Sequence, residues 1–211
     1  MARRKDSAAA ARAEDQPGEE KEKGTEKEEG GVEAVPAEAP SPTAGRLARA
    51  AELAAQGHLQ LAAEAYSAVI AAEPENLEAL VGLGVALLGQ TQYEGAEREF
   101  RKVLKLSPNH REAHYQLAAT LFKRGNYAAA AAQLRRAIEL DREFAPAYLM
   151  LGEALNQTGD PEAAIEALET ALELQPENGR AFYALGIAYD RKGQPERAAE
   201  MYRRSREVGG R

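Results

Sequence analysis

Apolar residues recur three and four positions apart along most of the chain, in short stripes separated by polar segments. Two successive stripes consist of Leu80, Leu83, Leu87 and Leu88, and of Phe100, Val103, Leu104 and Leu106. This spacing places the apolar side chains on one face of an α-helix. The pattern therefore predicts amphipathic helices that are joined by short turns.

The segments between the stripes carry residues that are typical of helix ends. Gly125 and Gly159 stand where a helix would stop, and glycine readily adopts the left-handed backbone that ends a helix. Asn126 and Asp160, which follow them, have side chains suited to cap the next helix, and Pro161 fits its first turn. Each unit is therefore predicted to be a helix, a tight turn and a second helix.

Several columns of residues recur at one interval of 34 residues. One column is alanine in every unit: Ala62, Ala96, Ala130, Ala164 and Ala198. A second column holds Gly57, Thr91, Gly125, Gly159 and Gly193, and a third holds Ala50, Gly84, Ala118, Gly152 and Gly186. Columns that share one period indicate a tandem array, in which one helical hairpin is copied along a solenoid.

Two packing features are expected from these columns. Small side chains let two helices approach closely, so Ala130 and Ala164 should face a neighbouring helix, whereas Ala131 should lie in a less constrained position. Residues 194–208 carry polar side chains where the other units are apolar. This segment should therefore cap the array without a further helix, with Gly209 and Gly210 frayed beyond its end.

The pattern resembles that of the tetratricopeptide repeat (TPR) family. Leu83-Gly84 with Ala96, Phe100 and Pro108 carries the resemblance in one unit, and corresponding residues appear in the others. The resemblance implies an all-α fold, in which five helical hairpins form a solenoid wound as a right-handed superhelix. The first unit matches least well, because arginines stand where the other units are mostly apolar. The units span residues 43–76, 77–110, 111–144, 145–178 and 179–211.

Composition limits the chemistry that the chain can support. Its 211 residues include no cysteine, which excludes disulfides, a thiolate nucleophile and a cysteine-bound metal. The longest stretch without a charge is too short to cross a bilayer. The basic N-terminus lacks the apolar core of a signal peptide, so a cytoplasmic location is predicted.

Residues 1–42 differ in composition from the repeats. They contain 7 Lys/Arg and 11 Asp/Glu residues with few apolar side chains, and they are predicted to be a disordered tail. A solubilising role is the simpler interpretation, although the tail is long enough to reach the groove of the solenoid. Residues 43–211 contain 20 basic and 23 acidic residues, so no basic excess points to nucleic acid as a partner.

No group of residues has the arrangement of a catalytic or metal site. His110 and His114 stand four apart, but the glutamate between them is misplaced for a zinc-protease motif and no third ligand is evident. We expect His110 to lie just outside a helix and His114 to be a packing residue. Neither a glycine-rich phosphate loop nor a nucleophile beside a base is present. The sequence therefore predicts a protein without enzymatic activity, cofactor or metal.

The resemblance also implies where a partner would bind. In TPR proteins the first helix of each unit lines a concave groove, which holds an extended or helical peptide. The Asn and Lys pairs with which some TPR proteins clamp a C-terminal carboxylate are missing at the matching positions here. The positions that match the groove are Val81, Val85, Leu88, Tyr115, Ala119, Phe122, Lys123, Leu149, Met150, Glu153, Gln157, Arg180, Tyr183 and Ile187.

These observations predict a non-catalytic protein-interaction scaffold or assembly adaptor. Its partner would be a protein or peptide segment, with no role for nucleic acid and no insertion into a membrane. The alternative is a structural or accessory subunit of a larger complex, which self-associates or docks through its ends or its convex face. The sequence leaves the oligomeric state and the identity of the partner open.

Overall fold

A computed structural model describes residues 42–209, which fold into ten α-helices without a strand in that range. The helices are α1 (Pro42–Ala55), α2 (Leu59–Ala72), α3 (Leu77–Gly89), α4 (Tyr93–Leu106), α5 (Arg111–Lys123), α6 (Tyr127–Leu140), α7 (Ala145–Thr158), α8 (Pro161–Leu174), α9 (Gly179–Arg191) and α10 (Pro195–Gly209). The tail expected at residues 1–42 lies outside the described residues, except that Pro42 begins α1.

The predicted turn chemistry is confirmed. The four turn glycines Gly57, Gly125, Gly159 and Gly193 all have φ between 75° and 81°, in the left-handed region. Thr91, which fills the same column in the second unit, also has a positive φ of 61°. Asn126 caps α6, because its side chain accepts a hydrogen bond from the backbone N–H of Ala129 at 3.3 Å. Local sequence therefore determines where each hairpin turns.

Each pair of helices packs through the small residues of the repeat. Ala130 and Ala164 are fully buried, as predicted. The expectation for Ala131 is wrong, since this residue is only 3% exposed and belongs to the same core cluster as Ala130. The reason is that α6 packs against both α5 and α7, so it buries two faces at once.

The odd-numbered and even-numbered helices occupy different sides of the solenoid. Each odd-numbered helix contacts the next odd-numbered helix, whereas no two even-numbered helices touch within residues 42–209. An array of hairpins curves toward the side on which its helices are more closely spaced. The odd-numbered helices, termed inner helices here, therefore lie on the concave side, and the even-numbered outer helices lie on the convex side.

Both ends of the array are complete hairpins. Arg46 and Arg49, which weaken the resemblance of the first unit, are exposed on α1, and α1 still packs against α2. At the other end, α10 includes Gly209, so the expectation that this glycine frays is wrong, and Gly210 lies outside the described residues. The Ser205 hydroxyl donates a hydrogen bond to the Gly179 carbonyl at 2.7 Å and fastens the end of α10 to α9.

Candidate partner-binding groove

All the predicted groove residues lie on the inner helices α3, α5, α7 and α9, and none of them is buried. Val85, Lys123, Gln157, Arg180 and Tyr183 are exposed, and the other nine are half-buried. Two of them, Phe122 and Tyr183, also contact the outer helix of their own hairpin, through Tyr127 and Tyr202. We term this surface the groove.

The part of the groove nearest the N-terminus is apolar and firmly supported. Val81 and Leu88 on α3 and Phe122 on α5 are half-buried and rest on the main core cluster. The Phe122 ring contacts the ring of Tyr127 edge-on, with centroids 5.0 Å apart and planes at 74°. Aromatic pairs of this geometry hold each other in place, so this part of the groove is preformed.

Tyr115, in the middle of the groove, belongs to an aromatic and cationic cluster. Its ring lies edge-on to Phe144, with centroids 5.0 Å apart. The guanidinium carbon of Arg111 lies 4.4 Å from the Phe144 ring centroid, and Arg111 also binds Asp141 at 2.5 Å. The cluster joins α5 to the residue that precedes α7, and it fixes the position of the tyrosine.

Sequence reasoning missed Phe144, although a signal was available. At the 34-residue period, the column that contains Phe144 also contains Asn76, His110 and Asn178. The side chain of each of these three residues caps a helix. Phenylalanine has no acceptor for a capping hydrogen bond, and no side-chain cap is present at Phe144. An aromatic residue in a column of capping residues indicates a packing role.

Two groove charges neutralise each other across the inner helices. Arg180 on α9 donates two hydrogen bonds to the Glu153 carboxylate on α7, at 2.5 and 2.6 Å. These bonds raise the pKa of the Arg180 guanidinium above its ordinary value. Burial, with a smaller effect of Glu112, raises the pKa of the Tyr115 hydroxyl, which therefore stays neutral. The middle of the groove thus carries little net charge.

The C-terminal part of the groove carries its most exposed aromatic side chain. Tyr183 is 56% exposed, and its ring centroid lies 5.5 Å from that of Tyr202 on α10. The Tyr202 hydroxyl donates to Asp190 at 2.6 Å. Burial and this hydrogen bond raise the pKa of Tyr202 to about 12. Sequence reasoning did not place Tyr202 here, because it occupies a column that holds core residues in the other units.

Both histidines singled out by sequence have structural partners. His110 accepts a hydrogen bond from the backbone N–H of Ala113 at 3.1 Å and caps α5. The buried His114 donates to the Pro108 carbonyl at 2.9 Å, and its other nitrogen contacts the Gln133 amide at 2.8 Å. Within residues 42–209, no three acidic or histidine side chains are arranged to hold a metal ion. In the same range, each helix is too short or too polar to cross a membrane.

Comparisons with known proteins show which protein family shares this architecture. Two family models, both described as tetratricopeptide repeat, match the chain: one over residues 47–111 and 149–209, the other over residues 87–155 and 121–173. No curated protein sequence gives a significant match.

Solved structures resemble the chain over most of its length. MamA from Desulfovibrio magneticus RS-1, residue 41 to the end, is 30% identical with a TM-score of 0.75, covering 81% of this chain and 97% of that one. Another crystal structure of MamA is 30% identical with a TM-score of 0.71, covering 76% and 94%. YrrB, described as a TPR protein with an unusual peptide-binding site, is 24% identical with a TM-score of 0.68, covering 77% and 84%. At that lower identity the likeness concerns the fold.

Proposed function

Because the chain belongs to the tetratricopeptide repeat family, we propose that it is a non-catalytic scaffold that binds a segment of a partner protein in its groove. The observation that carries this proposal is the set of apolar groove side chains on the inner helices, in which the exposed Val85 and Tyr183 accompany half-buried residues such as Leu88. Leu61 and Leu106 are exposed on outer helices. A patch of several apolar side chains that stays accessible on a folded protein usually marks a binding surface. The groove residues named above are the proposed contact surface.

The composition of the groove suggests how a segment would be held. Val81, Val85 and Leu88 offer an apolar patch at one end, and Tyr183 offers an aromatic anchor at the other. Between them, the charges of Glu153 and Arg180 are already satisfied by each other. Affinity would therefore come mainly from apolar burial, and the few free charges would orient the segment. Such binding requires no cofactor, metal or chemical step.

The experiment that tests this proposal compares groove variants with a matched variant on the convex side. Val85→Ser and Tyr183→Ala each remove an exposed apolar side chain from an inner helix, and Leu61→Ser removes one that is 52% exposed on outer helix α2. Proteins captured by the full chain are identified by quantitative mass spectrometry, and the purified partner is then titrated against each variant.

We expect Val85→Ser and Tyr183→Ala to weaken binding by roughly 5- to 100-fold each, and Leu61→Ser to bind as the wild type does. The expected factor corresponds to the loss of one anchor in the centre of an interface. If the partner bound both groove variants fully and lost affinity for Leu61→Ser, the convex side would be the contact surface and the proposal would be wrong.

A further inference from the structure

The outer helix α4 presents a row of cations to solvent. Arg98, Arg101, Lys102 and Lys105 are all exposed, and their spacing of three and four residues puts them on one face, termed the basic face. Arg101 and Lys102 pair with glutamates of the same helix, which are themselves buried. Arg98 and Lys105 have no ion pair within residues 42–209. The exposed charge of this face is therefore positive.

The outer helix α8 presents the opposite charge. Glu162, Glu166, Glu169 and Glu173 follow the same helical spacing, are exposed, and have no basic residue beside them on α8; together they form the acidic face. Glu162 pairs with Lys192 at 3.5 Å, and Glu169 accepts a hydrogen bond from Tyr189 at 3.0 Å. Glu166 and Glu173 have no ion pair among the described residues.

The two faces occupy equivalent positions of the repeat, and the charge is inverted where Glu166, Glu169 and Glu173 correspond to Arg98, Arg101 and Lys105. It is not inverted at Glu162, which corresponds to Glu94. Glu166 lies 68 residues, or two units, after Arg98, and Glu173 lies 68 residues after Lys105. The cations that lack an ion pair on α4 thus correspond to the anions that lack one on α8. Complementary charge at matching positions is what two surfaces need in order to meet in register.

The two faces of one chain do not meet each other. The helices α4 and α8 make no contact, and α6 packs in the solenoid between their hairpins. We propose that the basic face of one molecule binds the acidic face of a second copy of this chain. Because outer helices diverge on a convex side, the two faces of one copy point in different directions. The contact is therefore heterologous and repeats head to tail, as a ring or as an open chain according to the rotation between copies.

An apolar slot lies beside the acidic face. A cavity of about 500 Å³ lies beside α8, with Glu169 and Glu173 in its wall. Its other walls include the apolar side chains Leu172, Phe182, Leu185 and Met201. Arginine and lysine bury their aliphatic stems against such surfaces while their charged ends stay near carboxylates. Arg204 also lies in the wall, with its guanidinium carbon 5.9 Å from the Phe182 ring centroid. The rest of the slot offers apolar surface to the stems of the cations that α4 presents.

The test measures the mass of the full-length protein by sedimentation equilibrium at several concentrations and two salt levels. We expect the average mass of the wild type to rise with concentration at about 0.025 M salt and to fall to that of a monomer at about 0.5 M, where charges are screened within a few ångströms. The double variants Arg98→Glu with Lys105→Glu, and Glu166→Lys with Glu173→Lys, should each stay monomeric at low salt.

A mixture of the two double variants provides the decisive result. In this mixture, the α4 variant carries two acidic faces and the α8 variant carries two basic faces. Equal amounts of the two variants should therefore associate as the wild type does. The control Arg46→Glu with Arg142→Glu makes the same change in net charge as the α4 double variant, at exposed positions outside both faces, and should associate normally. Circular dichroism melts check that each variant is folded.

Several outcomes would overturn the proposal. The wild type could be monomeric under all conditions, or either double variant could associate as the wild type does. A mixture that stayed monomeric would show that something other than the acidic face occupies α4, for example the acidic residues 14–33 of the chain itself. Val85→Ser and Tyr183→Ala should self-associate normally, so failure of the groove proposal would not affect this test.

Discussion

Gly84 on α3 lies against the ring of Phe100 on α4, so closely that a Cβ atom at Gly84 would come 2.6 Å from Phe100 Cε1. The same relationship recurs in the last hairpin, where a Cβ at Gly186 would come 2.5 Å from Tyr202 Cε1. The small column of the repeat is therefore small because a large side chain of the second helix fills the space above it. This contact sets the distance between the two helices of a hairpin.

Gly84→Ala should destabilise the protein by about 1–2 kcal/mol. Alanine in place of glycine inside a helix normally stabilises by up to about 1 kcal/mol, but overpacking a filled site costs about 1–3 kcal/mol, and the fully buried Phe100 has little room to move. Gly45→Ala on α1 is the control, because nothing lies within 4 Å of a Cβ there. It should stabilise by about 0.5–1 kcal/mol. Urea unfolding midpoints distinguish the two, and a stabilised Gly84→Ala would contradict this packing.

Ala130→Leu should cost about 1–3 kcal/mol, because the side chain at this position has no exposed surface and no space to grow into. The matched control is Ala132→Leu on the same helix, where the alanine is exposed. It should change the free energy of unfolding by less than about 0.5 kcal/mol. Equal losses of stability at the two positions in thermal melts would show that α6 is turned differently.

Sequence periodicity predicted most of the fold and less of the groove. The columns of small residues and turn glycines placed the hairpins and the buried alanines, because a repeated unit exposes the same constraint several times. Ala131 was misjudged, since its burial depends on how α6 packs between two neighbours. Phe144 was missed because it departs from its column of capping residues, and Tyr202 because its column is buried in the core in the other units. The pairing of Glu153 with Arg180 depends on distances between hairpins, which the period does not specify.

The burial of Tyr202 and its hydrogen bond to Asp190 should make stability fall at high pH. The folded-state pKa of Tyr202 is raised to about 12, above the value near 10 of an unfolded tyrosine, so its contribution is present below about pH 10 and is lost as the pH rises toward 12. Tyr202→Phe should flatten the dependence of unfolding free energy on pH between about 10 and 12. Asp190→Asn should flatten it too, since it removes the acceptor charge. An unchanged slope in both variants would show that other groups cause the alkaline loss.

The two groove tyrosines should separate binding from stability. Tyr183 is 56% exposed, so Tyr183→Ala should weaken partner binding by about 1–3 kcal/mol and leave the thermal melt nearly unchanged. Tyr115 is half-buried against the core and Phe144, so Tyr115→Ala should lower both binding and the free energy of unfolding, the latter by about 1–3 kcal/mol.

Raising the salt concentration from about 0.05 to 0.5 M should change partner affinity only a few-fold, because screening removes little from an apolar contact. The same change should abolish self-association through α4 and α8, which depends on charge. Titration calorimetry with the purified partner, at both salt levels and with both tyrosine variants, therefore separates the two surfaces. Partner affinity that collapsed with salt, together with full binding by Tyr183→Ala, would move the partner from the inner helices to the charged outer ones.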